Sequence, residues 1–225
     1  PEVWEAVSLS LQIAFINATF ATVLGTLAGL AMVRFGRFRG RTIFGGMLVA
    51  PLVMPEVITG LSLLVFFISL KELIGWPAER GFTTITIAHI TFSLAYVAVI
   101  IQARLTGIGE TLEEAASDLG AKPFKVMKAI TLPRLAPGML SGWLLAFTLS
   151  LDDLVIASFV TGPGANTLPI LIFSRIRLGL RPDINALATI IIIFVAVLVS
   201  LAAYLMFRQQ KREIMDHKMA QSIKS

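Results

Sequence analysis

The sequence predicts an all-α, polytopic membrane protein. Of its 225 residues, 56% are hydrophobic and only 15% are charged, and the mean hydropathy is +0.83. A soluble domain carries roughly 25% charged residues. Several apolar runs of about 20 residues are long enough to cross a bilayer as helices, and the alternation of apolar and polar residues typical of membrane strands is missing.

Five membrane-spanning helices are predicted within one transmembrane domain, residues 1–225. Each is bounded by Gly, Pro or charged residues, and they cover residues 7–33, 43–70, 84–102, 138–160 and 184–207. The third and fourth are joined by a polar loop, residues 104–137, which is much longer than two antiparallel helices need. The segment 168–180 is apolar but too short to span, as in an interfacial or re-entrant piece on the outer side.

The distribution of basic residues predicts the orientation. Fourteen of the 19 Lys and Arg residues lie in the loop 34–41, the loop 104–137 and the tail 208–225. Cytoplasmic loops are enriched in these residues, so the long loop and the C-terminus are expected in the cytoplasm. The same bias accounts for the net charge of +5 without nucleic acid as a partner. A sixth helix is expected before Pro1, which would bring both termini inside.

The long loop contains a short predicted helix. Thr111 is placed to cap it, and Glu114 follows at the spacing of a capping box. Two alanines continue the helix, and Gly120 is suited to end it. One interpretation is an ordinary amphipathic connector; the other is a helix that the loop presents to a partner protein.

The residues of this loop carry a resemblance to a known family. Glu114-Ala115-Ala116, Gly120, Ile130 and Leu132-Pro133 stand at the spacing of the EAA signature of ABC importer permeases, and every defined position of that signature is filled. The resemblance implies a type I ABC importer permease fold with a cytoplasmic coupling helix that docks on an ABC ATPase dimer. The residues expected to couple to the ATPase are Glu113, Glu114, Ala115, Ala116 and Gly120.

The resemblance also implies further partners. These are a homologous second permease subunit and an outer-side, periplasmic binding protein, with the chain itself in the bacterial inner membrane among membrane lipids. The chain contains no Gly-x-x-x-x-Gly-Lys-Ser/Thr motif, so another chain is expected to hydrolyse ATP. No cofactor and no catalytic residue is expected here.

Three acidic residues lie inside the predicted spans: Glu56, Asp152 and Asp153. A charge at the bilayer centre costs about 2.5–3.5 kcal/mol or more, so such residues are often functional. No basic residue is predicted at their depth to form an ion pair with them. With the carbonyls freed by Pro51 and Pro55, they make an acceptor-rich surface suited to ammonium groups. Alternatively, these acids hydrogen-bond to neighbouring helices or mark the membrane boundary; at most one of the adjacent aspartates is expected to face a pathway squarely.

Longer segments resemble the polyamine branch of these permeases, and most closely the second permease subunit of putrescine importers. They are residues 34–40, 51–60, 150–164 and 185–189. The resemblance implies import of putrescine, and of spermidine as the next candidate. The alternatives are an ABC permease for another solute, an ion-coupled secondary transporter that uses the carboxylates as relays, and a membrane scaffold.

Other polar and small residues in the spans are expected to serve packing. Gly25 and Gly29 permit a close helix contact within the subunit. Gln12 and Asn17 are expected to form hydrogen bonds between helices. His89, near the outer end of the third span, is assigned a structural role.

Overall fold

A computed structural model describes residues 2–36, 38–177, 189 and 193. The chain divides into two compact units, Pro1–Leu171 and Ile172–Ser225. The described part is helical and contains no strand, which confirms the all-α prediction. The predicted fifth span, 184–207, lies outside the described residues except for Thr189 and Ile193.

Nine α-helices are present in this described part. Four helical stretches are long and apolar enough to cross a membrane: residues 2–34, 56–74, 82–108 and 123–152. A π-helical turn, Met127–Thr131, joins the sixth helix to the seventh. The α-helices are α1 Glu2–Arg34, α2 Arg41–Val53, α3 Glu56–Ile74, α4 Phe82–Ile108, α5 Thr111–Asp118, α6 Pro123–Val126, α7 Leu132–Asp152, α8 Val155–Val160 and α9 Leu168–Arg177.

Two of the predicted spans are each divided into two helices. The span 43–70 is broken between α2 and α3, where Met54 is extended and Pro55 precedes the new helix. The span 138–160 is broken after α7, because Asp153 adopts an extended conformation. The segment predicted as re-entrant contains the helix α9, and residues 178–180 lie outside the described residues.

The predicted long loop is mostly helical. Helix α7 begins at Leu132 and not at residue 138, and Pro133 lies in its first turn. Proline is favourable there, since its missing N–H has no partner in a first turn anyway. Only short connections remain non-helical, residues 109–110 and 119–122.

Helices α1, α4 and α7 form the core of the first unit. A Cβ atom at Gly25 would lie 2.7 Å from Val97 Cβ, and one at Gly29 would lie 2.7 Å from Ile101 Cγ2. Both glycines therefore permit α1 to pack directly on α4. The prediction that this pair serves packing within the subunit is confirmed.

The buried amide of Asn17 connects these three helices. Its Nδ2 donates to Ser93 Oγ on α4 at 3.1 Å and to the Ala146 carbonyl on α7 at 2.8 Å. The predicted interhelical role is therefore confirmed for Asn17. It is wrong for Gln12, whose Nε2 donates to Ser8 Oγ within α1, because Gln12 lies on the exposed side of that helix.

The two ends of this bundle differ in chemistry. At one end, called the basic end below, the last residue of α1, the end of α4 and the start of α7 meet α5; Arg34 there contacts Gly109. At the opposite end, Thr84 Oγ1 donates to the Val160 carbonyl and the Leu168 N–H donates to Ser10 Oγ. All the candidate site residues lie at the basic end or at the breaks in the spans.

Candidate functional site

Helix α5 begins differently from the prediction. Its N-cap residue is Glu110, whose carbonyl accepts the N–H groups of Glu113 and Glu114 at 2.9 Å each, and no side chain caps the helix. The capping box predicted for Thr111 and Glu114 is wrong, because Thr111 already lies within the helix.

Gly120 ends this helix as predicted. Its φ is +82°, a left-handed conformation that costs other L-residues about 1–2 kcal/mol. The Gly120 N–H donates to the Ser117 carbonyl, and the Ala121 N–H donates to the Ala116 carbonyl. These two bonds form a Schellman motif, which satisfies carbonyls at the end of α5.

Arg34 attaches α5 to the end of α1. Its Nη1 donates to Glu110 Oε1 at 3.0 Å, and its Nη2 donates to the Gly109 carbonyl at 2.8 Å and to Glu113 Oε1 at 3.2 Å. The Arg34 side chain is only 11% exposed. Charge-assisted bonds of this kind are the stronger ones, and three from one guanidinium restrict the position of α5.

Glu113 also reaches the fourth span. The Thr131 hydroxyl, in the π-helical turn before α7, donates to Glu113 Oε1 at 3.0 Å. One carboxylate therefore bridges the end of α1 and the start of α7. We call Arg34, Glu110, Glu113 and Thr131 the clasp.

The other residues of the predicted coupling set form none of the bonds of the clasp. Glu114, Ala115 and Gly120 are exposed, and Ala116 is half-buried. Large apolar side chains near them are also exposed: Leu112 at 52%, Leu119 at 90% and Phe124 at 79%. We call this exposed surface of α5 and its flanks the outer face. It combines one carboxylate with apolar side chains, as a protein-binding surface does.

Asp153 forms a second centre at the break between α7 and α8. Its Oδ1 accepts the Ile156 N–H at 3.2 Å, and its Oδ2 accepts the Ala157 N–H at 2.7 Å. The carboxylate thus caps α8, where the partial positive charge of the helix N-terminus favours an anion.

His89 is the second partner of Asp153. Its Nε2 donates to Asp153 Oδ2 at 2.9 Å, and its Nδ1 shares a 2.7 Å hydrogen bond with Ser150 Oγ. The side chains of His89 and Asp153 are 3% and 8% exposed. The expectation that no basic residue lies at the depth of the acids is therefore wrong for Asp153, whereas the structural role predicted for His89 is confirmed.

This partnership had a weak signal in the sequence. Ser150 and Asp153 are three residues apart and so lie on one face of a helix, and His89 is a polar residue in an apolar span. The sequence does not show which residues of α4 lie opposite which residues of α7, and so it could not place His89 beside Asp153.

The remaining acids of the spans, Glu56 and Asp152, are exposed on the surface of the chain. They lie at related positions. Helix α3 packs on α8 at Gly60, where a Cβ atom would lie 3.3 Å from Ile156 Cα. Glu56 precedes this contact by four residues within α3, and Asp152 ends α7 four residues before Ile156. Both acids therefore lie close in sequence to the contact between α3 and α8, and neither belongs to the clasp.

Comparison with known proteins identifies the family. The model for the family described as "binding-protein-dependent transport system inner membrane component" matches residues 21–214. The chain is 60% identical to the putrescine transport system permease protein PotI of Escherichia coli K12, over 94% of this chain and 75% of that protein. It is 41% identical to the spermidine/putrescine transport system permease protein PotC of the same strain, over 92% and 76%.

Solved structures support the same fold. A chain of the inward-facing MetNI methionine ABC transporter matches 89% of this chain with a TM-score of 0.69 and 17% identity. A chain of an amino acid ABC transporter solved with histidines matches 88% with a TM-score of 0.59 and 19% identity. At such identities the likeness concerns the fold alone. From the family match and the two permease relatives, the chain belongs to the binding-protein-dependent transport system inner membrane components, the permeases of ABC importers.

Proposed function

We propose that this chain is the permease subunit of an ATP-driven importer that carries a polyamine, putrescine above all, into the cytoplasm. The observation that carries the proposal is the 60% identity to a putrescine permease over 94% of the chain. The excess of Lys and Arg in the loops at the basic end supports placing that end, and the C-terminus, in the cytoplasm.

The outer face is the proposed docking surface for an ABC ATPase dimer. Glu114 and the exposed Leu119 and Phe124 supply a charged group and apolar side chains on a short ordered helix. Interfaces rely on a few large side chains that become buried in the complex. ATP hydrolysis belongs to that partner, and a homologous second permease and a periplasmic polyamine-binding protein complete the proposed assembly.

The clasp transmits the motion of α5 to the spans in this proposal. Through Glu113, α5 is bonded to Arg34 at the end of α1 and to Thr131 before α7. A displacement of α5 by the ATPase therefore pulls on two spans at once. Glu113 acts as a positioning residue here, whereas the sequence alone grouped it with the ATPase contacts.

Glu56 and Asp152 are the proposed pathway residues for the cationic cargo. Both side chains are exposed on the chain, and each residue lies four positions before a residue of the contact between α3 and α8. Ammonium groups are strong donors without acceptors, so exposed carboxylates match them. Asp153 is not proposed to bind the cargo, because both of its oxygens accept hydrogen bonds within the chain. Its proposed role is to stabilise the break between α7 and α8, together with His89.

Uptake of labelled putrescine by the reconstituted assembly tests these roles. Glu56→Gln and Asp152→Asn each remove one negative charge with little change in volume. We expect each to reduce uptake at least tenfold at low putrescine, because the site loses an ion pair in a region of low dielectric. The matched control is Glu72→Gln, an exposed acid at the far end of α3, which should leave uptake unchanged.

Full uptake in both pathway variants, with normal protein levels, would remove these acids from the proposal. The substrate itself is tested by the stimulation of ATP hydrolysis. Putrescine should stimulate hydrolysis more than an anionic solute or an uncharged diol of the same length. Uptake driven by an ion gradient without the ATPase would overturn the importer assignment.

A further inference from the structure

A groove with two arginines lies at the basic end, between α4 and α7. Its volume is about 450 Å³, and Arg104, Gly107, Pro133, Arg134 and Pro137 line it. The two arginines belong to different helices, α4 and α7, and both line this groove. This groove is separate from the clasp and from the acids of the spans.

Neither of these arginines has an anionic partner within the described residues. Neither Arg104 nor Arg134 forms an ion pair or a side-chain hydrogen bond there. Arg34, at the same end of the bundle, is bound by two carboxylates and a carbonyl. Two like charges beside one groove repel each other unless an anion lies between them.

The position of the pair along the helices corresponds to the membrane surface. Between Phe82 and Ala103, α4 contains no Lys, Arg, Asp or Glu, and Arg104 is the first charged residue after that stretch. Arg134 is the last charged residue before the apolar stretch 135–151. Both guanidiniums therefore lie where the hydrocarbon core gives way to headgroups, the level at which arginine side chains settle.

The shape of the groove favours a phosphodiester with an apolar attachment. The stem of Arg104 lies against Gly138, with its Cγ 3.2 Å from the place of a Cβ there. A Cβ at Gly107, which also lines the groove, would meet no atom within 4 Å, so there is room beside this position. The prolines supply apolar walls. Guanidinium groups match phosphate oxygens in pairs, and basic pockets between spans bind anionic lipid headgroups.

We propose that this groove binds the headgroup phosphate of an anionic phospholipid through Arg104 and Arg134. Nothing in this inference depends on which solute the protein carries. The lipid holds α4 and α7 together at the surface where α5 is attached. A soluble anion and an acidic side chain of another subunit are the competing occupants that the experiment separates.

Retention of lipid by the purified full chain, with its copurifying subunits, provides the test. Native mass spectrometry compares phosphatidylglycerol with phosphatidylcholine as the added lipid. We expect Arg104→Gln/Arg134→Gln to lower phosphatidylglycerol retention by about tenfold or more. The control Arg39→Gln/Lys125→Gln removes the same charge from exposed positions at the basic end and should retain it as the parent does.

A second variant tests the groove without changing the charge. Gly107→Leu places a bulky side chain at the lining of the groove and should lower retention as strongly, whereas Gly46→Leu, at another helical glycine with open space, should not. Equal retention by parent and double variant would overturn the proposal. Equal binding of the two lipids would do the same, as would binding of inorganic phosphate without a preference for phosphatidylglycerol. Unchanged lipid retention by the double variant, together with loss of a copurifying subunit, would assign the arginines to that subunit and overturn the proposal.

Discussion

Two pairs of adjacent acidic residues, one at the basic end and one at the break in a span, are arranged alike. In each, one carboxylate is bound within the chain and its neighbour is exposed. Glu113 is bound to Arg34 and Thr131, while Glu114 lies on the outer face. Asp153 is bound to His89 and caps α8, while Asp152 is exposed. In each pair the bound acid positions a helix, and the exposed acid remains accessible to a partner protein or a substrate.

The two bound acids differ in the partner that holds them. At the basic end the partner is an arginine, which stays charged and lies near the membrane surface. Inside the span it is a histidine, which in its neutral form donates a hydrogen bond without adding a second buried charge. An arginine at that depth would have a high desolvation cost. The acid near the membrane surface is therefore bound by an arginine, and the acid inside the span by a histidine.

The largest effect is expected from removing the bound acid at the break. Asp153→Ala leaves His89 buried without its acceptor and α8 without its cap. Leaving a buried donor unsatisfied costs about 1–3 kcal/mol and losing a helix cap about 0.5–2 kcal/mol, so a large drop in the free energy of unfolding is expected. Asp152→Ala, at the exposed neighbour, should change it by no more than about 0.5 kcal/mol. Unfolding in mixed detergent micelles measures both.

The double variant His89→Leu/Asp153→Ala sharpens this test. If the two side chains stabilise one arrangement, the second substitution adds little to the first, since the unpaired group is then absent. Additive losses would show that His89 and Asp153 act separately. Equal losses for Asp152→Ala and Asp153→Ala would remove the distinction between bound and exposed acids.

The fold and this centre were predictable to different degrees. Apolar stretches predict helices because backbone groups in lipid must bond within their own segment, and four such helical stretches are found among the described residues. The break after Asp152 was not predicted, since residues 138–160 contain no proline and are apolar over most of their length. At the break Asp153 bonds to His89, 64 residues earlier in the chain, and the sequence carries only a weak signal for a tertiary contact of this kind.

The second largest effect is expected at the clasp. Arg34→Ala and Glu113→Ala should each lower the amount of putrescine carried per ATP hydrolysed, since α5 is then attached less firmly to α1 and α7. Glu114→Ala should weaken ATPase binding instead and leave the ratio unchanged. A double-mutant cycle between Arg34 and Glu113 should give an interaction energy of about 0.5–3 kcal/mol.

Charge reversal separates a transmitting contact from a merely stabilising one. Arg34→Glu and Glu113→Arg should each uncouple transport, and the combined reversal should restore the ratio of transport to hydrolysis in part. Recovery of thermal stability without recovery of that ratio would limit the clasp to holding the fold. A fall in the ratio for Glu114→Ala as large as that for Glu113→Ala would contradict the difference between the two acids.

A smaller effect is expected from the turn that ends α5. Gly120→Ala and Gly46→Ala both add a methyl group into open space, so they differ mainly in backbone conformation. At Gly120 the positive φ imposes a strain of about 1–2 kcal/mol, and we expect weaker binding of the ATPase in a pull-down. Gly46→Ala should bind as the parent does. Equal binding by both variants would show that this turn does not need its glycine.

The smallest effect is expected from two uncharged polar residues of α1. Like the acidic pairs, they comprise one buried residue bonded to other helices and one exposed residue. Asn17 is buried and bonded to α4 and α7, whereas Gln12 is exposed and bonded only within α1. Hydrogen bonds between spans average about 0.6 kcal/mol, so Asn17→Leu should lower the free energy of unfolding by about 1 kcal/mol and Gln12→Leu by less.

The loss at Asn17 is limited for a structural reason. Its Oδ1 is buried and has no partner among the described residues, so substitution also removes an unsatisfied acceptor, and that gain offsets part of the two lost bonds. A loss above 3 kcal/mol would mean that Asn17, like Asp153, is part of a larger network. The unfolding measurement used for Asp153 therefore compares a buried acidic residue with Asn17, a buried uncharged one. It decides whether a polar residue of a span must also be acidic for its loss to cause a large drop in the free energy of unfolding.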